Sequence, residues 1–286
     1  MSPSDDLDII ASCAADFGAV ETARSRFELD VRLPVPLADG RSHTYSLVIA
    51  VFGGVATARE EKPLLLPAFC PERHINRDGT FCLFWRAVDD IIIDGVSAAR
   101  IWWETLIRFL QQQVRAARLR HWPDAKARAH GEKAAVHQLR AERAAGRLGA
   151  PFPDDLADGR LTVEVSNRSA HGPTVGLLRD ARRLYSVWRR DRRVVNQRRP
   201  CLCPEGAQRR PVILKSCGEH GRAAADLAIE LQSMAEEERS FWKNFDGAQC
   251  CGTMDGCPLA KTEISSVPSE PVDQELVNGE LEGQIR

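Results

Sequence analysis

Six of the nine cysteines in this 286-residue chain fall between residues 201 and 257. They come as Cys201-Leu-Cys203, then Cys217-Gly-Glu-His220, then Cys250, Cys251 and Cys257. C-x-C and C-x-x-H are metal-ligand spacings, and thiolate with imidazole suits tetrahedral zinc. The spacing predicts one structural Zn2+ site with Cys201, Cys203 and Cys217 as core ligands. Its fourth ligand is His220 or one of Cys250, Cys251 and Cys257. Seven donors exceed one four-coordinate site, so a second site or an iron–sulfur cluster is an alternative. Free or disulfide-paired cysteines are the bland reading. In a reducing cytoplasm, an odd count of clustered cysteines favours metal over a disulfide framework. A closed shell of four protein ligands leaves no open position for catalysis, so no cofactor is expected for chemistry.

The compartment follows from what the chain lacks. The N-terminus, MSPSDDLDII, begins with acids instead of the basic stretch of a secretory signal. The longest apolar runs, around 45–55 and 90–96, are far too short to span a bilayer. A cytoplasmic protein with no membrane partner is expected. The hydrophobic fraction of 43% and charged fraction of 28% give material for a core of useful size.

Patterning divides the chain into a domain over 1–149, a cysteine-rich domain over 150–260 and an acidic disordered tail over 261–286. Leu7, Ile10, Cys13, Ala14 and Phe17 fall at helical spacing, predicting a helix over 6–24. Residues 26–33 and 43–55 alternate as strands around an Asp39-Gly40 turn, and 63–69 is a candidate third or edge strand. Ile101, Trp102, Trp103, Leu106, Leu110 and Val114 mark an amphipathic helix over 97–120, and 125–148 reads as a second, more polar helix. Gly149, Pro151 and Pro153 close the first domain. In the second, 160–165 reads as a strand and 221–245 as a helix. The fold class is α+β.

Between the strands and the long helix lies the irregular stretch Cys70-Pro-Glu-Arg-His74-Ile-Asn76-Arg-Asp78-Gly79-Thr-Phe-Cys82-Leu83. A thiol is the best intrinsic nucleophile among side chains. A carboxamide such as that of Asn76 can donate to a developing oxyanion. Gly79 lets the backbone turn tightly before Cys82. Read without any family, Cys70, His74 and Cys82 could also contribute to a metal site, or the loop could be purely structural.

This order of helix, strands, His-x-Asn, Gly-x-Phe-Cys-Leu and helices resembles the ubiquitin-conjugating enzymes, in their divergent bacterial branch. The likeness covers about residues 5–145. His74, Asn76, Gly79, Cys82 and Leu83 stand at the family's motif positions; Ile75 replaces its proline, and the step from Asn76 to Cys82 is two residues shorter. The resemblance implies an N-terminal helix, an antiparallel meander, an active-site loop and C-terminal helices. It implies that Cys82 accepts an acyl group as a thioester and passes it to an amine. Asn76 would stabilise the oxyanion, His74 would fix the loop, and Asp78 could help deprotonate the amine. The implied partners are a ubiquitin-like protein, its activating enzyme and a target protein with an acceptor lysine. Bacterial members commonly occur beside an activating-type enzyme, some of them in antiphage systems. The competing function is a non-catalytic zinc-binding adaptor for protein or nucleic acid. A redox sensor is weaker, since there is no C-x-x-C motif.

Nine arginines crowd residues 179–199, with Tyr185 and Trp188 interleaved. Such a run could meet nucleic acid, but most charge runs are solvated helix faces or protein contacts. His121, His130 and His137 are expected to face solvent.

Overall fold

The computed structural model describes residues 3–84, 91–124, 129–168 and 171–260. The acidic segment from 261 onward, expected to be disordered, lies outside the described residues, as do 125–128 at the start of the second expected helix. Helix α1 spans Pro3–Ala14. The strands β1 (Val20–Arg24), β2 (Glu28–Pro36), β3 (Ser42–Phe52) and β4 (Val55–Glu60) follow, and α2 (Val96–Leu119) completes the first unit. The four strands form an antiparallel meander in the order β1-β2-β3-β4. Alternation along β2 sends Leu29, Val31 and Leu33 inward, opposite Ile49, Leu47 and Tyr45 of β3. Helix α2 covers that face, and each of its two central indoles finds an acceptor. Trp102 Nε1 donates to the Ala56 carbonyl at 3.1 Å and Trp103 Nε1 to the Ile10 carbonyl at 3.0 Å, so sheet, α1 and α2 are cross-tied.

Two expected elements differ. The N-terminal helix stops at Ala14, because Gly18 adopts φ 74 and turns the chain into β1. Every residue of β1 is exposed, so this edge strand carried no burial pattern to read. The stretch 63–69 is not a strand. The amides of Leu64, Leu65 and Leu66 donate instead to the Glu60 carboxylate at 3.0–3.2 Å, which satisfies them without a ladder. The fourth strand is β4, joined to β3 through Gly53 and Gly54, both at positive φ.

The second unit holds α3 (Glu132–Leu148), α4 (Phe152–Ala157), β5 (Leu161–Ser166), β6 (Thr174–Arg179), β7 (Arg182–Trp188), the short β8 (Arg193–Val194) and α5 (His220–Lys243). Its sheet is also antiparallel, in the order β5-β6-β7-β8. Ala141, Ala144 and Ala145 of α3 meet Ala223, Ala224, Leu227 and Ala228 of α5 in one core. Small side chains let the two helices approach closely. Thus α3, grouped by sequence with the first domain, is built into the core of the second unit.

The arginine run is neither a helix face nor an open cationic stripe. It spans the end of β6, β7, β8 and the loops that follow, and several members pair within the chain. Arg179 pairs with Asp155, Arg183 with Glu164, Arg189 with Glu236 at 2.9 Å, and Arg192 with Asp226 and Glu230 at 3.0 and 2.7 Å. Among the described residues no helix is long and apolar enough to cross a membrane.

Candidate functional site

The loop after β4 is held by its backbone. Cys70 and Ile75 exchange N–H···O bonds at 3.1 and 3.0 Å around the turn 71–73, with His74 in the left-handed region at φ 54. The Asn76 amide donates to the Thr80 carbonyl at 2.8 Å, closing a second turn through Gly79 at φ 80. The amide of Phe81 then donates to Ala58 in β4, and that of Cys82 to the His74 carbonyl, both at 2.8 Å. Ile75, 1% exposed, plugs the loop into the first core, which gives a reason for an apolar residue at that position. Arg73 locks the loop to α2: its guanidinium donates to the Gln113 side-chain oxygen at 2.8 Å and to the Gln113 carbonyl at 3.0 Å. Gln113 Nε2 returns a bond to the Arg73 carbonyl at 2.6 Å.

Cys82 is partly exposed and lines a small cavity of about 100 Å³ with His74, Ile75, Asn76, Arg77, His130, Gly131, Phe241 and Phe245. Burial pushes its thiol up to about 11. His74 is driven down to about 4, by burial first and then by the neighbouring His130, and is neutral at physiological pH. Asn76 is exposed, and its side-chain amide donates to Thr80 Oγ1 at 3.0 Å, leaving a second N–H available. Asp78 is engaged: it accepts from the Thr80 hydroxyl at 2.6 Å and the Thr80 amide at 3.0 Å. The loop thus brings Cys82, Asn76 and His74 to one cavity, while Asp78, bonded to Thr80, is not among its lining residues.

The far wall of that cavity comes from the second unit, which the sequence did not reveal. His130 stacks on His74 with ring centroids 5.6 Å apart, and its Nδ1 lies 2.9 Å from Glu238 Oε1. His137 is likewise half-buried, 2.6 Å from Glu230. Neither faces solvent as expected, because both turn from α3 and its leading turn toward carboxylates of α5. His121 is exposed.

A second constellation is the Cys3His group. The ligand atoms of Cys201, Cys203, Cys217 and His220 all lie within 4.8 Å of one another. Cys203 and Cys217 sulfurs are 3.7 Å apart, and His220 Nδ1 lies 3.4 Å from the Cys201 sulfur and 3.2 Å from that of Cys217. Tetrahedral zinc requires S···S of about 3.8 Å and S···N of about 3.5 Å. The group could hold a metal ion and fits that dimension. Cys217 is pushed up to about 12 by its bonds to neighbouring thiols, Cys201 foremost, and by burial. The chain folds locally around the ligands. Gly206 passes so close to the Cys201 carbonyl that a Cβ there would strike its oxygen, and His220 opens α5. Cys250, Cys251 and Cys257 stand elsewhere. With Cys70 they join a separate buried cluster, in which the Cys251 and Cys70 sulfurs are 3.0 Å apart.

Family models place both units. Residues 17–124 match the prokaryotic E2 domain, and residues 129–259 match the cysteine-rich domain found C-terminal to E2 domains. The chain is a prokaryotic E2 domain with its C-terminal cysteine-rich domain. Neither curated proteins nor solved structures gave a match. Membership of the E2 family implies a conjugating enzyme and, in general terms, ubiquitin-like and activating-enzyme partners. In this E2 domain the Cys82 loop packs against the cysteine-rich domain, and the matches divide between 124 and 129, just ahead of α3.

Proposed function

We propose that this E2 protein accepts the C-terminal acyl group of a ubiquitin-like protein on Cys82 and transfers it to a target amine. The observation that carries the reading is that Cys82 and Asn76 line one cavity on a loop pinned to β4 and α2. Loading exchanges one thioester for another: the Cys82 sulfur attacks the carbonyl, the activating enzyme's thiolate leaves, and a proton passes to it. In transfer, a lysine amine attacks, the C–S bond breaks, and the nitrogen's proton ends on the Cys82 sulfur. In this reading the free N–H of Asn76 steadies the oxyanion, and His74 acts by holding the loop. Asp78, already occupied by Thr80, contributes to the acceptor side only if that bond opens. The Cys3His group holds a structural Zn2+ that organises the start of α5; with four protein ligands it supplies no catalytic position.

The test is reaction with a ubiquitin-like protein, an activating enzyme and ATP. Wild-type protein is expected to give an adduct released by reductant, and Cys82→Ala none. Asn76→Ala should still load, but discharge to free lysine roughly a hundredfold more slowly, the usual cost of losing one oxyanion donor. Unchanged discharge in Asn76→Ala would remove that residue from the mechanism.

A further inference from the structure

Arg73 raises a charge problem that the nucleophile loop does not solve. It is 2% exposed, yet its bonds go to neutral acceptors: the Gln113 side chain, the Gln113 carbonyl and, at 3.4 Å, Thr253 Oγ1. Among the described residues no carboxylate pairs with it. Burying a cation without a counter-charge is costly, so an anion belongs nearby. The ionisable groups that face it are the thiols of Cys70 and Cys251 and the phenol of Tyr45. Cys70 and Cys251 both act on Arg73 electrostatically, and their sulfurs are 3.0 Å apart. Cys251 also contacts Thr253 Oγ1 at 3.0 Å, and the Gly252 amide donates to the Cys250 sulfur at 3.4 Å. Cys257 interacts with Cys250 and shares the same buried cluster as Cys70.

We propose that Cys70, Cys250, Cys251 and Cys257 form a second zinc site, which fastens the nucleophile loop to the C-terminal end of the cysteine-rich domain. Four thiolates around a dication carry a net charge of −2, and Arg73 is the buried counter-ion they need. One ion needs S···S of about 3.8 Å, nearer to the 3.0 Å between the Cys70 and Cys251 sulfurs than the wider spacing of thiolates around an iron–sulfur cluster. Unlike the Cys201 group, these ligands are not already gathered around one point. Cys251 meets Cys70 while Cys250 meets Cys257, and binding draws the pairs together. The segment that must move is irregular, and Gly252, at φ 69, turns the chain directly after the adjacent cysteines. Cys70 is bonded through its backbone to Ile75, one residue from the carbonyl that holds the Cys82 amide. The second ion therefore anchors the base of the loop that carries the nucleophile. The claim concerns metal binding and stands independently of whether Cys82 forms a thioester.

The experiment is elemental analysis of the full chain, purified without a metal-affinity step and supplied with zinc under reducing conditions. Two zinc ions per chain are expected for the wild type and for Cys13→Ser, a buried-thiol control. One is expected for Cys70→Ser and one for Cys201→Ser. Replacing zinc by cobalt gives a reading that does not depend on how a variant folds. The thiolate-to-cobalt band of the wild type should correspond to seven thiolates, against three for the Cys201 group alone. One zinc in the wild type, a three-thiolate cobalt band, two zinc ions retained in Cys70→Ser, or a Cys70–Cys251 disulfide in place of metal would each overturn the proposal.

Discussion

Cys82 carries the reading at the scale of single residues, and its environment is more restrictive than its motif. No cation in the loop lowers its thiol; burial raises it to about 11. At neutral pH only a small fraction is thiolate, but a thiolate of high basicity is a strong nucleophile once formed. Alkylation of Cys82 by iodoacetamide should therefore be slow at pH 7 and climb toward a midpoint near pH 11, as mapped peptide by peptide. A midpoint at the ordinary thiol value would mean that the sulfur is more solvated than it is here. His74 behaves in the opposite sense. Its folded pKa of about 4 lies below the ordinary 6.5, so the stability that its neutral ring contributes is present above pH 6.5 and is lost as pH falls toward 4. Urea titrations across that window should show His74→Gln losing less stability on acidification than the wild type. The motif made Cys82, Asn76 and His74 legible, because these residues are close in sequence and a backbone turn alone unites them. It offered Asp78 as a group that could deprotonate the amine and gave Ile75 only as the replacement of a proline. That Thr80 occupies the Asp78 carboxylate, and that Ile75 is a core plug, are consequences of side-chain contacts.

Among the elements, α2 does more than cover the sheet. Gln113, fully buried, supplies both acceptors to Arg73 and receives a bond back, so one helix residue sets the position of the loop. Gln113→Leu should leave the guanidinium underbonded in the interior and destabilise the protein by about 3 kcal/mol in denaturant titration. A loss under 0.5 kcal/mol would mean that Arg73 finds water instead. The Cys201 turn makes a comparable demand at Gly206, where a side chain would strike the Cys201 carbonyl. Gly206→Ala should weaken zinc retention against a competing chelator, with metal content as the readout. Hydrophobic period showed β2, β3 and α2 in the sequence through their buried faces, and showed α5 through its apolar residues, although α5 is buried on nearly all sides over 223–232. It could not show β1, which buries nothing, or distinguish 63–69 from a strand, because the Glu60 carboxylate that satisfies its amides lies outside the window.

For the whole molecule, the informative feature is that the two units share a site. The cavity beside Cys82 is closed by His130 and Gly131 ahead of α3 and by Phe241 and Phe245 from the end of α5. Cys70 meets Cys251 across 181 residues of sequence. Ligand spacing found the Cys201, Cys203, Cys217 and His220 group, whose members are local, but spacing cannot tell which distant thiols meet. For the same reason, the sequence alone left Cys250, Cys251 and Cys257 as candidate ligands for that one group. The cysteine-rich domain thus forms part of the cavity beside Cys82, which under the proposed function is where an incoming amine would enter. The most direct measurement is intact mass and peptide mapping of the full chain after reaction with a ubiquitin-like protein, its activating enzyme and ATP, run in parallel on Cys82→Ser. One acyl group on residue 82 is expected, cleaved by dithiothreitol from the wild type and resistant to it, as an oxyester, in the serine variant. An acyl group mapped to any other cysteine, with residue 82 unmodified in both proteins, would contradict the account.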